Sequence, residues 1–418
     1  VSQPELARRL GTVDAVIIGL GSMLGAGVFA AFSPAARAAG AGLLIGLAIA
    51  ALVAYCNATA SAQLAAQYPM SGGTYIYGRE RLGSWWGFLA GWGFVIGKIA
   101  SCAAMALTFA AYVAPPGWQR PIAVAAVIIL ATVNYYGITR TAALTKIIIA
   151  IVLATLVLVV VASLSEATGR SVRSWDLLAG GWYGILQSAG LLFFAFAGYA
   201  RIATMGEEVR DPERTIPRAI LTALTITVLI YLLVGTSILV ALGPAGVAAT
   251  SAPLAAAIDA MGWVWAELPV RLGAAAAALG ALLALIAGVG RTILAMARHD
   301  DLPHWLAAVH DRHQVPHHAE VAVAGLVCVL ILVTDLRDAI GFSSFGVLLY
   351  YLIANVAAYT QLVEQRRFPR ILQIIGMVGC GVLVLTLPLS AVLSGSLVFA
   401  VGISYRAIRL RVGNRSPS

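Results

Sequence analysis

The chain has 418 residues, of which 61% are hydrophobic and only 11% charged. A soluble protein of this length carries about a quarter charged residues, so this is a polytopic membrane protein with little left over for a soluble domain. The net charge of +9 is read as loops beside anionic lipid rather than as a nucleic-acid surface.

Residues 1–10 form a short polar lead into the first span, without the cleavage pattern of a signal peptide. Apolar runs able to cross a bilayer, ideally about 20 residues each, follow at 13–39, 42–66, 85–113, 122–136, 142–163 and 184–205. Six more lie at 219–242, 270–297, 321–334, 342–362, 371–387 and 389–408. About twelve spans predict an all-α membrane protein with both termini on one side. Arg8, Arg9, Arg79, Arg81, Arg140, Lys146, Arg210, Arg214, Arg218, Arg298, Arg312, Arg366, Arg367, Arg370, Arg406, Arg409, Arg411 and Arg415 fall on the side of the termini. Arg37, Arg120, Arg170, Arg173, Arg271 and Arg337 fall on the other. This roughly threefold excess predicts a multi-pass protein of the cell membrane with cytoplasmic termini.

The first span contains Gly19-Leu-Gly21-Ser22-Met-Leu-Gly25-Ala26-Gly27-Val-Phe29. Glycine inside a helix costs about 1 kcal/mol relative to alanine. Backbone that leaves a membrane helix is tolerated only inside protein or beside a cavity. Two readings stand: a broken helix lining a binding cavity, or close helix packing through the Gly21/Gly25 pair.

The third span carries Lys98, which with Lys146 makes up the chain's lysines. Lys146 is near enough to the end of its span to snorkel. Lys98 is about a dozen residues deep, near mid-membrane at about 1.5 Å per residue, with Phe94 and Ser101 one turn away on its face. An intramembrane charge defaults to a functional hypothesis, here a proton-coupling group. The alternative is a structural lysine bonded to the carbonyls of a broken helix.

The sixth span repeats the oddity of the first. Ala195, Ala197 and Gly198 interrupt the aromatic run Phe193-Phe194-Ala195-Phe196-Ala197-Gly198-Tyr199, and Arg201 follows. Two interrupted spans five apart predict an inverted five-plus-five repeat, here 13–163 and 184–362, with 371–408 as two additional helices. In such an arrangement half-helix amides hold an anion and freed carbonyls hold a cation. An α-amino acid presents both.

Further on, the loop after the eighth span holds all six histidines, from His299 to His318, and the acidic pair Asp300-Asp301. The histidine spacing fits no standard metal pattern, and the acidic pair lacks the second aspartate-rich motif of a membrane prenyl-transfer enzyme. Cys56, Cys102, Cys328 and Cys380 lie in apolar runs and read as small buried hydrophobes. No enzyme, metal site or cofactor is expected.

These segments together resemble the amino acid–polyamine–organocation permeases over nearly the whole chain. Gly25-Ala-Gly-Val-Phe29 is similar to that family's Gly-Ser-Gly-Ile-Phe signature. Residues 69–77 with 87–92, residues 193–198 with 207–218, and residues 295–298 with Leu302-Pro303 resemble further family motifs in the right order. The resemblance implies the leucine-transporter fold, alternating access, and an amino acid or related amine as substrate. It implies that Gly21, Ser22, Gly25, Ala26 and Gly27 face the substrate's carboxylate and amine. It makes Phe194 and Phe196 candidates for an aromatic gate, with core or lipid packing as the alternative, and places helix three, hence Phe94, beside the site.

There are departures. An acidic residue common after the helix-six aromatic is Ala200 here, which argues against a cationic substrate, and the signature serine is Ala26. Helix eight has no Ser or Thr before Thr292, whereas sodium wants oxygen ligands. Proton-coupled transport is therefore the leading expectation. Exchange without proton coupling and amino acid sensing without transport are the alternatives, and neither a channel filter nor a nucleic-acid surface is expected.

Overall fold

The computed structural model describes residues 10–68, 72–137, 142–165, 175–203, 205 and 209–413. Among them nine helices are long and apolar enough to cross a membrane. Three shorter apolar helices, Gln119–Tyr135, His317–Val333 and Arg370–Thr386, complete the twelve expected segments.

Helix 1 starts at Thr12, where the Asp14 carboxylate accepts the Gly11 N–H at 3.3 Å. It runs Thr12–Met23, breaks, and resumes as Ala26–Ala30 and Phe32–Ala39. Helix 2 is Leu43–Gln67, helix 3 Ser84–Val113, helix 4 Gln119–Tyr135 and helix 5 Ala142–Ser165. Helix 6 is Gly181–Phe196, continued through a 3₁₀ turn at Ala197–Tyr199 into Ala200–Ala203. Helix 7 is Pro212–Ala249, helix 8 Val264–Arg298, helix 9 His317–Val333 and helix 10 Leu336–Tyr359. Helix 11 is Arg370–Thr386 and helix 12 Leu389–Gly413.

Three differences from the apolar runs have local causes. Helix 7 begins earlier than residue 219 because Pro212 occupies its first position, where a missing N–H costs nothing. It also runs past residue 242, through a kink at Gly243 (φ 68°). Helical stretches too short or polar to register as spans occupy Thr74–Leu82, before helix 3, and Pro253–Ala260, before helix 8.

The core lies along helices 3, 6 and 10. The most apolar stretch of helices 3 and 6 is 83% buried, against 22% for helix 12, which lies on the outside. Helices 3 and 10 meet through glycine: a Cβ on Gly346 would sit 2.6 Å from the Gly93 carbonyl oxygen. Small residues permit such backbone approach where lipid gives no hydrophobic drive for association.

Candidate functional site

The site is built where helices 1 and 6 lose regularity. In helix 1 only Leu24 and Gly25 leave the helix, with Gly25 at φ −71°, ψ −140°. Gly21, Ser22, Ala26 and Gly27 remain helical. In helix 6 the chain tightens rather than opens: Phe194, Ala195 and Phe196 are α-helical, and Ala197 and Gly198 lie in the 3₁₀ turn.

The two interruptions abut. A Cβ on Gly198 would lie 2.3 Å from the Ser22 carbonyl oxygen, and one on Gly27 would lie 2.6 Å from the Ala195 Cα. Helix 8 closes a third side, since a Cβ on Gly25 would lie 2.8 Å from the Ala281 methyl. That wall is apolar. The nearest hydroxyl further along helix 8, Thr292, donates to its own helix at Gly288 O, 3.2 Å away.

Breaking a helix frees carbonyls, which must find donors in a dry interior. Tyr231 of helix 7 supplies one. Its hydroxyl is 2.5 Å from Met23 O on helix 1 and 3.0 Å from Ala195 O on helix 6. A phenol has one proton, so it donates to one of these carbonyls at a time. Lys98 supplies another: Nζ donates to Ala197 O at 3.2 Å, and Tyr351 Oη approaches the same oxygen at 3.5 Å. Lys98 is 6% exposed. Its amine lies 5.9 Å from the Phe94 ring centroid, within cation–π range.

The sequence-predicted residues divide accordingly. Gly25, Gly27, Ala195, Ala197, Gly198, Lys98 and Phe94 converge on the junction. Ser22 gives its carbonyl to the junction, while its hydroxyl turns back to Ile18 O at 3.0 Å. Ala26 is buried beside them. Gly21 faces Ile149 of helix 5 instead. Phe196 is fully buried with its ring centroid 5.1 Å from that of Tyr231, the arrangement expected of packing. Phe194 is 6% exposed. The contact of Lys98 with Ala197 O is the one expected of a lysine bracing a broken helix. It also places an amine on a carbonyl of the 3₁₀ turn that interrupts helix 6.

The sequence matches the amino acid permease family over residues 10–408. The chain belongs to that family. The permease is 56% identical over 412 residues to an uncharacterized transporter of Mycobacterium tuberculosis, an alignment covering 99% of this chain and 93% of the relative. It is 28% identical over 392 residues to cationic amino acid transporter 7, chloroplastic, of Arabidopsis thaliana, covering 87% of this chain and 67% of that one. It is 24% identical over 393 residues to the branched-chain amino acid permease BcaP of Bacillus subtilis, covering 88% and 84%. The permease is thus a multi-pass membrane transporter and not an enzyme.

Tyr231 escaped sequence reading because it carries no motif. The available signal was a phenol deep in an apolar helix: unlike Thr225, Thr227 and Ser237 around it, which bond back to their own helix, it is too long to do so and must find a partner elsewhere. The other polar groups singled out from the sequence have structural work. Asp301 is 4% exposed and accepts from Tyr75 Oη at 2.9 Å, Arg79 at 3.4 Å and Arg406. Burial, reinforced by the Asp301 carboxylate, pushes the Tyr75 phenol well above its ordinary range, so it keeps its proton and goes on donating. Arg409 pairs with Asp300 at 3.1 Å. His310, His313 and His317 gather round Tyr135, with ring centroids 5.5, 6.2 and 6.2 Å away. The His310 Nδ1 accepts the Arg312 and His313 N–H groups. Among the described residues no group of three His, Cys, Asp or Glu side chains has metal-binding geometry. The motif residues 69–71 and 207–208 lie outside the described residues.

Proposed function

We propose that this permease is a secondary active transporter that carries an amino acid or related amine across the cell membrane by alternating access, coupled to protons through Lys98. The observation that carries this reading is the junction itself. Two interrupted helices touch at Gly27/Ala195 and Gly198/Ser22, and the carbonyls they free are met by single movable donors, Tyr231 and Lys98. A substrate ammonium competes for those carbonyls, and the amides at residues 25–27 offer partial positive charge to its carboxylate. In this reading residues 13–163 and 184–362 are inverted repeats that rock against each other, and both termini are cytoplasmic.

Proton coupling rests on the burial of Lys98. The titratable groups around it are Cys102, one turn along helix 3, Tyr351, which shares Ala197 O from helix 10, and Tyr350, whose ring lies against that of Phe94. An ammonium there needs compensation, and a neutral amine does not. The apolar Gly25–Ala281 contact and the self-bonded Thr292 argue against a sodium site between helices 1 and 8.

Reconstitution tests this. Counterflow of labelled amino acids in proteoliposomes identifies transport. Uptake is expected to rise with an inward proton gradient, and Lys98→Ala is expected to lose that response while counterflow continues. A full pH response in Lys98→Ala would remove Lys98 as the coupling group. Wild-type uptake indifferent to the gradient would make the protein an exchanger.

A further inference from the structure

Lys98 has a second consequence, which concerns what the site accepts. An ammonium carries three donors. Among the described residues the Lys98 amine meets one hydrogen-bond acceptor, Ala197 O at 3.2 Å, and one ring face, that of Phe94. The ion pairs among the described residues, such as Arg79–Asp301, Arg406–Asp301, Lys146–Asp14 and Arg271–Glu267, all leave it out. Its other near neighbours are neutral: Cys102 on the same helix, Tyr350 with its ring tilted against that of Phe94 at 5.2 Å, and Tyr351 across the shared carbonyl. The residue after Gly198-Tyr199 is the uncharged Ala200.

A buried cation with one neutral acceptor repels a second cation and attracts an anion, both strongly in a low-dielectric interior. We infer that Lys98 sets the charge class of the substrate: the site takes an α-amino acid bearing a side-chain carboxylate and rejects arginine, lysine and polyamines. This deepens the transport reading above and rests on it. The carboxylate accepts from the N–H groups of the ammonium, alongside Ala197 O or in its place. The freed carbonyl then turns to the substrate's own amine. Rejection follows from like charge at close range. Cationic amino acid transporter 7 of Arabidopsis thaliana, at 28% identity, is therefore a relative in fold whose named substrate class is the opposite one.

The test uses the full chain in proteoliposomes loaded with L-glutamate, L-leucine or L-arginine, with the same three as external label. Wild type is expected to exchange glutamate in preference to leucine and to leave arginine outside. Lys98→Met is expected to lower the glutamate-to-leucine ratio about a hundredfold, the scale of losing one partner of a buried charge pair. Lys98→Arg, which keeps the charge, is expected to hold the ratio above one. Exchange of arginine by wild type, or an unchanged ratio in Lys98→Met, would overturn the inference and leave transport standing. Thermal stabilisation of detergent-solubilised protein by glutamate separates the remaining outcomes. Stabilisation lost in Lys98→Met, with no flux of any label, would overturn transport and keep the charge selection. Flux of leucine alone, with no stabilisation by glutamate, would overturn the charge selection alone.

Discussion

Gly198 and Gly21 are both glycines of interrupted helices, yet they should answer mutation differently. A methyl at 198 would meet a backbone carbonyl, Ser22 O, at 2.3 Å. A methyl at 21 would meet the far end of a flexible side chain, Ile149, at 2.9 Å. Gly198→Ala should therefore cost about 1–3 kcal/mol through overpacking and depress counterflow, whereas Gly21→Ala should leave melting temperature and exchange near wild type. Equal tolerance at both sites would mean that helices 1 and 6 do not depend on close approach. Tyr231→Phe removes one hydroxyl and leaves Met23 O and Ala195 O without it. The cost of a buried unmet acceptor is about 1–3 kcal/mol, and it should appear as a lower melting temperature in detergent.

At the level of elements, the break in helix 1 organises the junction, and Gly25 is its pivot. Gly25→Leu should abolish counterflow while the protein still inserts in the membrane, because the side chain would have to occupy the place of the Ala281 methyl. Normal uptake by that variant would reduce the glycine cluster to simple packing. The interruption itself was legible in the sequence, because glycine clustering in an apolar run is a local signal. Its extent was not: the four glycines did not mark which residues leave the helix, and Gly21 and Gly27 stay helical. They are glycine for a tertiary reason, the nearness of Ile149 and Ala195, and a neighbour across the bundle leaves no trace in the local sequence. Helix 6 teaches the same. Its small residues marked the place, but whether Ala197–Tyr199 opens or tightens depends on partners from helices 1, 3 and 10. The twelve spans were readable because hydropathy and length are properties of each segment alone. The partners of Asp301 were not readable, because Arg406 lies 105 positions away.

For the whole molecule, the orientation drawn from arginine placement is testable at positions that are exposed (Arg120, Arg312) or half-buried (Arg81). Cysteines substituted at Arg81 or Arg312 should react with an impermeant reagent from the cytoplasmic side, and one at Arg120 only from outside. The reverse pattern would invert the assignment. The clasp at Asp301 joins three distant parts of the chain: the helix Thr74–Leu82 through Tyr75 and Arg79, the end of helix 8, and helix 12 through Arg406. Asp301→Asn should strand the nearly buried Arg406 guanidinium, which also lies over the Trp85 and Phe88 rings, at a cost of about 3–5 kcal/mol. Thermal unfolding of the variant against wild type measures it, and an unchanged midpoint would show that the clasp adds nothing. The same clasp imposes a schedule on biosynthesis. Asp301 is made 105 residues before Arg406, about 5–20 seconds of translation at ordinary rates. Throughout that interval the newborn chain holds a carboxylate destined for burial whose nearest-fitting partner does not yet exist. Helix 12, the least buried of the major spans, is thus made after the other parts of the clasp, and a nascent chain stalled before it holds Asp301 by Tyr75 and Arg79 alone.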